Sequence, residues 1–434
     1  MYSVGLTTLG CKVSQYETEA LAEAFESRGF LLADFSECCD VYVINTCTVT
    51  AEADAKSRKA IRRARRQNPD SKILVMGCYS ERAAEETIEA GADYAVGTVG
   101  KMRLVDVAER LLSGDVVPRV EILPLDSADF ECMTVRRAPR CRAYVKIEDG
   151  CDSRCSYCAI APARGRVRSK PMDAVIAEVE GLSASGVREV VLTGIEVAAY
   201  GKDIGSGYGL CDLISELDRR GSVPRIRLGS MAPELITDRF IETAFSTGIM
   251  VPHLHLSLQS GSTRILGLMR RRYNMDSVYS TAQKLRARVP EIEFTADLMV
   301  GFPSESEEDY LLTEEAVRRL DLLDAHVFAY SRRDGTAAAD FEGQIPDGIK
   351  RERSERLIGL SRSVRDGRLD RIVSRAVPLS VICESTVSGR AVGHSDSYAE
   401  VVFNGDESLV GREILVEPLT HENGKIIGKA IKCK

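Results

Sequence analysis

The sequence predicts an α/β protein in three parts: a doubly wound parallel sheet, then an incomplete (β/α)6 barrel, then a small antiparallel β-barrel. Three observations carry this. Short apolar runs alternate with helical patterns over residues 2–113, and alternating strand and helix builds a parallel sheet. The alternation breaks and then resumes from Tyr144 to about residue 330. From Val377 onward the chain turns to short β-like runs divided by Gly, Asp and Asn, which suits a small barrel.

In the first part the strands are expected at Tyr2–Thr8, Val41–Asn45, Lys72–Met76 and Asp93–Val96, with a helix after each of the first three. The clearest helix begins at Ser14, where Ser14 and Glu17 have capping-box spacing, and ends before Gly29, placed for a left-handed turn. Residues 114–142 read as a linker, where Asp126, Ser127, Ala128 and Asp129 break the alternation and a basic run of Arg136, Arg137, Arg140 and Arg142 follows. Barrel strands follow at Glu189–Thr193, Arg225–Leu228, His253–Leu258, Glu293–Val300 and Ala325–Tyr330, after a first one at Tyr144. Ligands of such a barrel gather at the C-terminal ends of its strands. A charged helix spans Ile349–Val373, and the last part has β runs at Val377–Ile382, Arg390–Gly393, Ala399–Phe403, Glu413–Pro418 and Lys425–Ile431. The expected divisions are 1–115, 136–368 and 370–434.

Composition narrows the function classes. With 44% hydrophobic and 28% charged residues over 434 positions, the whole chain is neither disordered nor collagen-like nor a small disulfide scaffold. Met1–Leu6 lacks a signal-peptide pattern, and no run reaches the roughly 20 apolar residues of a membrane span, so a cytoplasmic protein without membrane association is expected. In that compartment 13 Cys point to metal binding or catalysis. The net charge of -7 argues against nucleic acid for the chain as a whole.

The sharpest motif is Cys151-Asp152-Ser153-Arg154-Cys155-Ser156-Tyr157-Cys158, directly after the first barrel strand. Three thiolates within one loop can converge on a soft metal, and structural zinc would want a fourth ligand that no nearby pair or His provides. The set favours a [4Fe-4S] cluster with one iron open to substrate or cofactor. The loop resembles the signature of the radical S-adenosylmethionine superfamily, including Tyr157 before the last Cys. That resemblance implies that Cys151, Cys155 and Cys158 hold three irons, that the methionyl group of S-adenosylmethionine chelates the fourth, and that an electron then yields a 5′-deoxyadenosyl radical.

Cys11, Cys47 and Cys78 each lie just past one of the first three strands. The carboxyl ends of strands in an open parallel sheet face one crevice, so these thiols are expected to meet, although a free Cys is also a common small buried hydrophobe. The segments Thr8-Leu9-Gly10-Cys11-Lys12-Val13, Ile44-Asn45-Thr46-Cys47-Thr48-Val49-Thr50 and Gly77-Cys78-Tyr79 resemble the N-terminal domain of the methylthiotransferases. The order of that domain, a radical S-adenosylmethionine core and a TRAM barrel is the architecture of that family and covers essentially the whole chain. Gly10-Cys11-Lys12-Val13 with Gln15-Tyr16-Glu17-Thr18-Glu19 is most similar to the branch acting on threonylcarbamoyladenosine in transfer RNA. The isopentenyladenosine branch tends to read Gly-Cys-Gln-Met-Asn there, and the ribosomal-protein branch Gly-Cys-Pro-Lys-Asn.

The resemblance implies a second [4Fe-4S] cluster on Cys11, Cys47 and Cys78 that carries the sulfur. One S-adenosylmethionine methylates that sulfur, and a second provides the radical that removes hydrogen from carbon two of adenine at position 37. It implies an electron donor such as flavodoxin or ferredoxin, and it needs no catalytic residue beyond the clusters. Thr193 and Gly194, Ser230, and Gln259 match family strands near the cofactor, as do Leu256–Gly261 and Val300–Pro303. Departures are Ala232 where the family commonly has an acid, Ser14 where it has Asn, and Ala161-Pro162 where it has Pro and an aromatic residue. Cys38, Cys39, Cys132, Cys141, Cys211, Cys383 and Cys433 have no partner at ligand spacing.

On the matter of RNA, local charge points the opposite way from net charge. Residues 56–66 carry seven basic side chains and no acid, among them Arg62, Arg63, Arg65 and Arg66. Arg164, Arg166, Arg168 and Lys170 follow the cysteine loop, and Arg270, Arg271 and Arg272 follow a barrel strand. Basic segments beside both cysteine sets suit phosphate contacts, whereas residues 370–434 hold 8 basic and 9 acidic side chains and could grip RNA by one face only. The expected partner is the anticodon stem-loop, whose unpaired base an enzyme can extrude. Rival readings are a methylthiotransferase for isopentenyladenosine or a ribosomal-protein aspartate, and an iron-sulfur electron carrier or RNA-binding protein without methylthiolation activity.

Overall fold

A computed structural model describes residues 1–137, 141–205 and 207–433, apart from the side chain of Cys433; Arg140 and the Cys433 thiol thus lie outside the described residues. The first sheet is all parallel. Its elements are β1 (Ser3–Thr8), α1 (Lys12–Ser27), β2 (Leu31–Ala33), β3 (Val41–Thr46), α2 (Ala51–Gln67), β4 (Lys72–Gly77), α3 (Cys78–Arg82), α4 (Ala84–Glu89), β5 (Tyr94–Val96), α5 (Leu104–Leu112) and β6 (Val120–Glu121). The strand order is β2-β1-β3-β4-β5-β6, so the four expected strands are joined by two short edge strands. Val120–Glu121 pairs with β5 from within the stretch expected to be a linker. Met133 and Val135, from the same stretch, are buried in the barrel core.

The start of α1 differs from expectation. The helix opens at Lys12 with Cys11 as its N-cap residue, and no side chain caps it. Ser14 and Glu17 are therefore interior helical positions, both buried, and not a capping box. Gly29 does take the left-handed turn, at φ 84°. Tyr16 and Ala20 on α1 pack into the barrel core, while Leu21 and Phe25 pack under the first sheet. A helix buried on two sides in this way fixes the first sheet against the barrel.

The second part contains β7 (Arg142–Lys146), β8 (Glu148–Asp149), α6 (Ile160–Arg164), β9 (Arg168–Ser169), α7 (Met172–Ala184), β10 (Glu189–Thr193), α8 (Leu210–Arg220), β11 (Arg225–Leu228), α9 (Asp238–Ala244), β12 (His253–Gln259), α10 (Thr263–Leu268), α11 (Met275–Arg288), β13 (Glu293–Val300), α12 (Glu307–Arg319) and β14 (Asp324–Ala329). Strands β7, β10 and β11 form one parallel set and β12, β13 and β14 another. Bridges Ile226↔Met250 and Met231↔Leu256 join the sets into one incomplete six-stranded barrel.

Helix α13 (Asp347–Arg375) buries Leu357 in the barrel core and Leu369 and Ile372 in the core of the last part. That part is a closed barrel of β15 (Leu379–Val387), β16 (Arg390–Ser395), β17 (Glu400–Asn404), β18 (Glu413–Glu422) and β19 (Lys425–Cys433). It is not wholly antiparallel: β17 and β19 pair in parallel to close it. Closure removes the exposed strand edges an open five-stranded sheet would carry. The small barrel seats on the N-terminal strand ends, where Arg142 pairs with Glu384 and Glu189, Arg225 with Glu413 at 2.9 Å, and Arg227 with Glu189 at 2.8 Å. The cysteine loop sits toward the opposite, C-terminal ends, where residues of the first part meet it.

Candidate metal centres and active site

Strands β1, β3 and β4 are neighbours in the first sheet, and Cys11, Cys47 and Cys78 follow directly on their C-terminal ends. Two glycines bring these ends together. A Cβ on Gly10 would stand 3.7 Å from Cβ of Cys47. Gly77 has φ 104°, and a Cβ there would come within 2.6 Å of both Asn45 Oδ1 and the Thr46 carbonyl. Burial pushes the Cys78 thiol up to about 12, with Arg164 opposing and Cys11 and Cys47 reinforcing the shift. Burial likewise raises the Cys47 thiol, and Cys11 adds to it. Three thiols thus sit within mutual electrostatic reach despite wide separation in sequence.

The loop after β8 holds the other set. Cys151 Sγ accepts from the Ser153 N–H at 3.4 Å, and Cys158 Sγ from the N–H groups of Ile160 and Ala161 at 3.3 and 3.5 Å. Cys155 Sγ accepts from Arg271 Nη1 at 3.5 Å. All three thiols line one cavity of about 670 Å³, with Arg154, Arg166, Arg270 and Thr336 among its other walls. Backbone and guanidinium donors aimed at sulfur suit thiolates bound to a cationic cluster, since they favour the deprotonated form. Left as free thiols, burial raises Cys151 to about 11.

A buried ionic cluster joins the two sets. The Arg164 guanidinium is fully buried; Nε donates to Cys78 Sγ at 3.2 Å, and Nη1 to Glu17 Oε1 at 2.6 Å and to Asp149 at 3.1 Å. Lys146 and Lys101 stand 3.0 and 3.4 Å from the same Glu17 oxygen. Burial alone would raise the Glu17 carboxyl, yet Arg164, Lys101 and Lys146 hold it well below the usual range. Asp149, two residues before Cys151, is held at about 2 against its burial by Arg164 and Lys146.

Placement corrects several RNA assignments. Arg164 and Arg168 are buried, with Arg168 Nη2 donating to the Arg164 carbonyl at 2.8 Å, so neither presents a surface to phosphate. Arg65 turns toward Asp93 at 2.7 Å and the Gly91 carbonyl, tying α2 to the next turn. Arg62, Arg63 and Arg66 are exposed on α2, and Arg166 is exposed at the thiol cavity. Lys170 is buried against Glu178.

Thr193, Gly194, Ser230 and Gln259 sit at the C-terminal ends of β10, β11 and β12, the same end as the thiols, but none lines the thiol cavity. A Cβ on Gly194 would meet Glu148 Oε2 at 2.4 Å, so glycine is needed where that carboxyl lies. Gln259 has φ 65° at a shift in strand register. Sequence reasoning missed Glu148 and Glu196. Burial pushes Glu148 well above the usual range, its Oε2 accepts from the Glu196 N–H at 2.9 Å, and its buried Oε1 has no partner among the described residues. Burial raises Glu196 to about 7 beside Ala232, whose N–H it accepts at 3.4 Å, so a carboxyl does reach the position where Ala232 departs from the family pattern. The available signal was two acids, Glu148 and Asp149, in an apolar strand context just before Cys151.

Comparisons with known proteins agree with this geometry. Residues 3–97 match the model of Uncharacterized protein family UPF0004, and residues 145–317 that of the Radical SAM superfamily. The chain is 38% identical to the threonylcarbamoyladenosine tRNA methylthiotransferase MtaB of Bacillus subtilis, over 96% of this chain and 94% of that protein. It is 32% identical to MtaB of Thermotoga maritima, over 97% and 96%. A tRNA-2-methylthio-N(6)-dimethylallyladenosine synthase of Carboxydothermus hydrogenoformans is also 32% identical, over 95% of each chain. Among solved structures, the radical S-adenosylmethionine methyltransferase TsrM of Kitasatospora setae superposes with a TM-score of 0.58 at 18% identity, over 78% of this chain and 77% of that one, which speaks to fold alone. With near-complete coverage at that identity, two cysteine triads and a radical S-adenosylmethionine barrel, the chain belongs to the radical S-adenosylmethionine methylthiotransferase family, of the MtaB-like kind.

Proposed function

We propose that this protein inserts a methylthio group at carbon two of threonylcarbamoyladenosine at position 37 of transfer RNA, beside the anticodon. The observation that carries the reading is the pair of cysteine triads, with Arg164 bonding Cys78 of one and Asp149, two residues before Cys151 of the other. Cys151, Cys155 and Cys158 would hold one [4Fe-4S] cluster with S-adenosylmethionine, and Cys11, Cys47 and Cys78 a second. When bound, these groups supply radical hydrogen abstraction and the sulfur to be inserted.

The chain's own residues do the rest. Arg164 donates to Cys78 and stabilises its thiolate. Arg271 does the same for Cys155. Glu148 and Glu196, kept protonated more readily by burial, offer hydrogen-bonding groups near the strand ends of Thr193 and Gly194. Ser230 and Gln259 are the remaining cofactor candidates at that end. Arg62, Arg63, Arg66 and Arg166 are the exposed cations available to the anticodon stem-loop. The small barrel is a TRAM-like RNA-binding unit in this reading, and the functional parts are 1–115, 136–368 and 370–434, with Val120–Glu121 joining the first sheet and α13 running across the last boundary. A flavodoxin or ferredoxin delivers electrons, in the cytoplasm; among the described residues no helix is long and apolar enough to cross a membrane.

Mass spectrometry of transfer RNA nucleosides from a deletion strain tests this. The 2-methylthio derivative of threonylcarbamoyladenosine should vanish and return on complementation. Its persistence at the normal level would refute the assignment, and loss of the isopentenyladenosine derivative instead would move the substrate to that branch.

A further inference from the structure

Most buried cations around the two thiol sets are matched. Lys101, Lys146 and Arg164 share Glu17, Asp149 and Glu131, and Arg142 and Arg227 share Glu189. Lys12 is not. It is the first residue of α1, next to Cys11, and it is half-buried. Among the described residues no carboxylate lies within 4.0 Å of its ammonium and no hydrogen bond engages it.

Its surroundings make that lack of a partner costly. Arg227 and Arg142 repel the Lys12 ammonium, while Asp297 and the neighbouring Cys11 attract it. Asp297 is already occupied: its Oδ1 meets His255 Nε2 at 3.2 Å and His326 Nδ1 at 3.3 Å. His326 stands on β14 with its side chain 54% exposed, so solvent reaches this group of charges. A cation crowded by cations and held partly out of water is stabilised by an incoming anion, which would also gain a charge-assisted hydrogen bond.

We propose that Lys12 forms a carboxylate subsite, and that its ligand is the threonyl carboxylate on the modified adenosine. The inference rests on the function proposed above. Threonylcarbamoyladenosine carries a carboxylate on its N6 substituent, whereas isopentenyladenosine carries only hydrocarbon there. Lys12 carries its charge on a flexible four-carbon stem directly beside Cys11, and His326 lies within electrostatic reach of it. Lys12 is then a specificity residue that selects acid-bearing over neutral adenosines.

The test measures Kd for an anticodon stem-loop carrying threonylcarbamoyladenosine as the free acid or as its neutral methylamide. Wild-type holoenzyme should bind the acid at least about tenfold more tightly than the amide. Lys12→Gln should lose that preference, with the acid weakened about tenfold and the amide within about twofold of wild type, and Lys12→Arg should keep most of it. Iron content of each variant is read alongside. Should Lys12→Gln shed iron, Lys12→Arg and the wild-type acid-to-amide ratio still decide. No preference in wild type, or a full preference in Lys12→Gln, overturns the subsite. Conversion is scored separately: wild type converting acid and amide alike sinks only the Lys12 subsite, whereas failure to convert the acid at all sinks the substrate assignment.

Discussion

Arg164→Gln is expected to strip iron from the Cys11, Cys47 and Cys78 site and to destabilise the protein by about 3 to 5 kcal/mol. Removing one member of a buried ion cluster leaves its partners uncompensated. Here the partners are Glu17 and Asp149, both buried, with Cys78 Sγ losing its 3.2 Å donor as well. Lys101 and Lys146 would remain near Glu17, so Glu17 should be partly rescued and Asp149 less so. Denaturant unfolding and iron analysis check this together. A variant with wild-type stability and full iron would mean that Arg164 neither braces the domains nor supports the thiolate.

Gly150→Ala should have an effect as large but confined to the other set. Gly150 has φ 83°, and a Cβ there would fall 1.9 Å from the Arg166 carbonyl oxygen and 2.8 Å from that of Gly165. Backbone atoms cannot swing aside as a flexible side chain can, and the left-handed conformation is itself unfavourable for alanine. The Cys151 N–H bonds the Gly165 carbonyl at 2.9 Å, so the same contact closes the cysteine loop. The variant should lose about one cluster's worth of iron and fail to form 5′-deoxyadenosine when reduced with S-adenosylmethionine. Iron bound through Cys11, Cys47 and Cys78 should stay. Normal 5′-deoxyadenosine formation would show that the loop tolerates the displacement.

The parts of this molecule legible in the sequence are those with local signals. Glu189–Thr193, Arg225–Leu228 and Glu293–Val300 form strands at the expected boundaries: Val190–Leu192 is a continuous apolar run, as a strand buried on both faces permits, while Arg225–Leu228 alternates charged and apolar residues with a period of two. The convergence of Cys11, Cys47 and Cys78 followed from topology, since consecutive parallel strands end on one side. Long-range pairing was not legible. Glu17 meets Lys146 and Arg164 across 129 and 147 residues, and nothing near Glu17 in the chain marks it as buried charge except its place among Val13, Tyr16 and Ala20 on one helix face. Basic residues after the cysteine loop gave a charge but not a direction, which is why Arg166 faces the cavity while Arg164 and Arg168 turn inward. Strand β6 has two residues and carries too short a pattern to register.

Two separate thiol triads, each holding a cluster, are the centre of this account. Iron and sulfide analysis of Cys47→Ala and Cys151→Ala, purified and reconstituted without oxygen, tests it most directly. Each variant should bind about half the iron of wild type, since each removes one ligand set and spares the other. Wild-type iron in Cys47→Ala would contradict the assignment of Cys11, Cys47 and Cys78, and wild-type iron in Cys151→Ala would contradict that of the barrel loop.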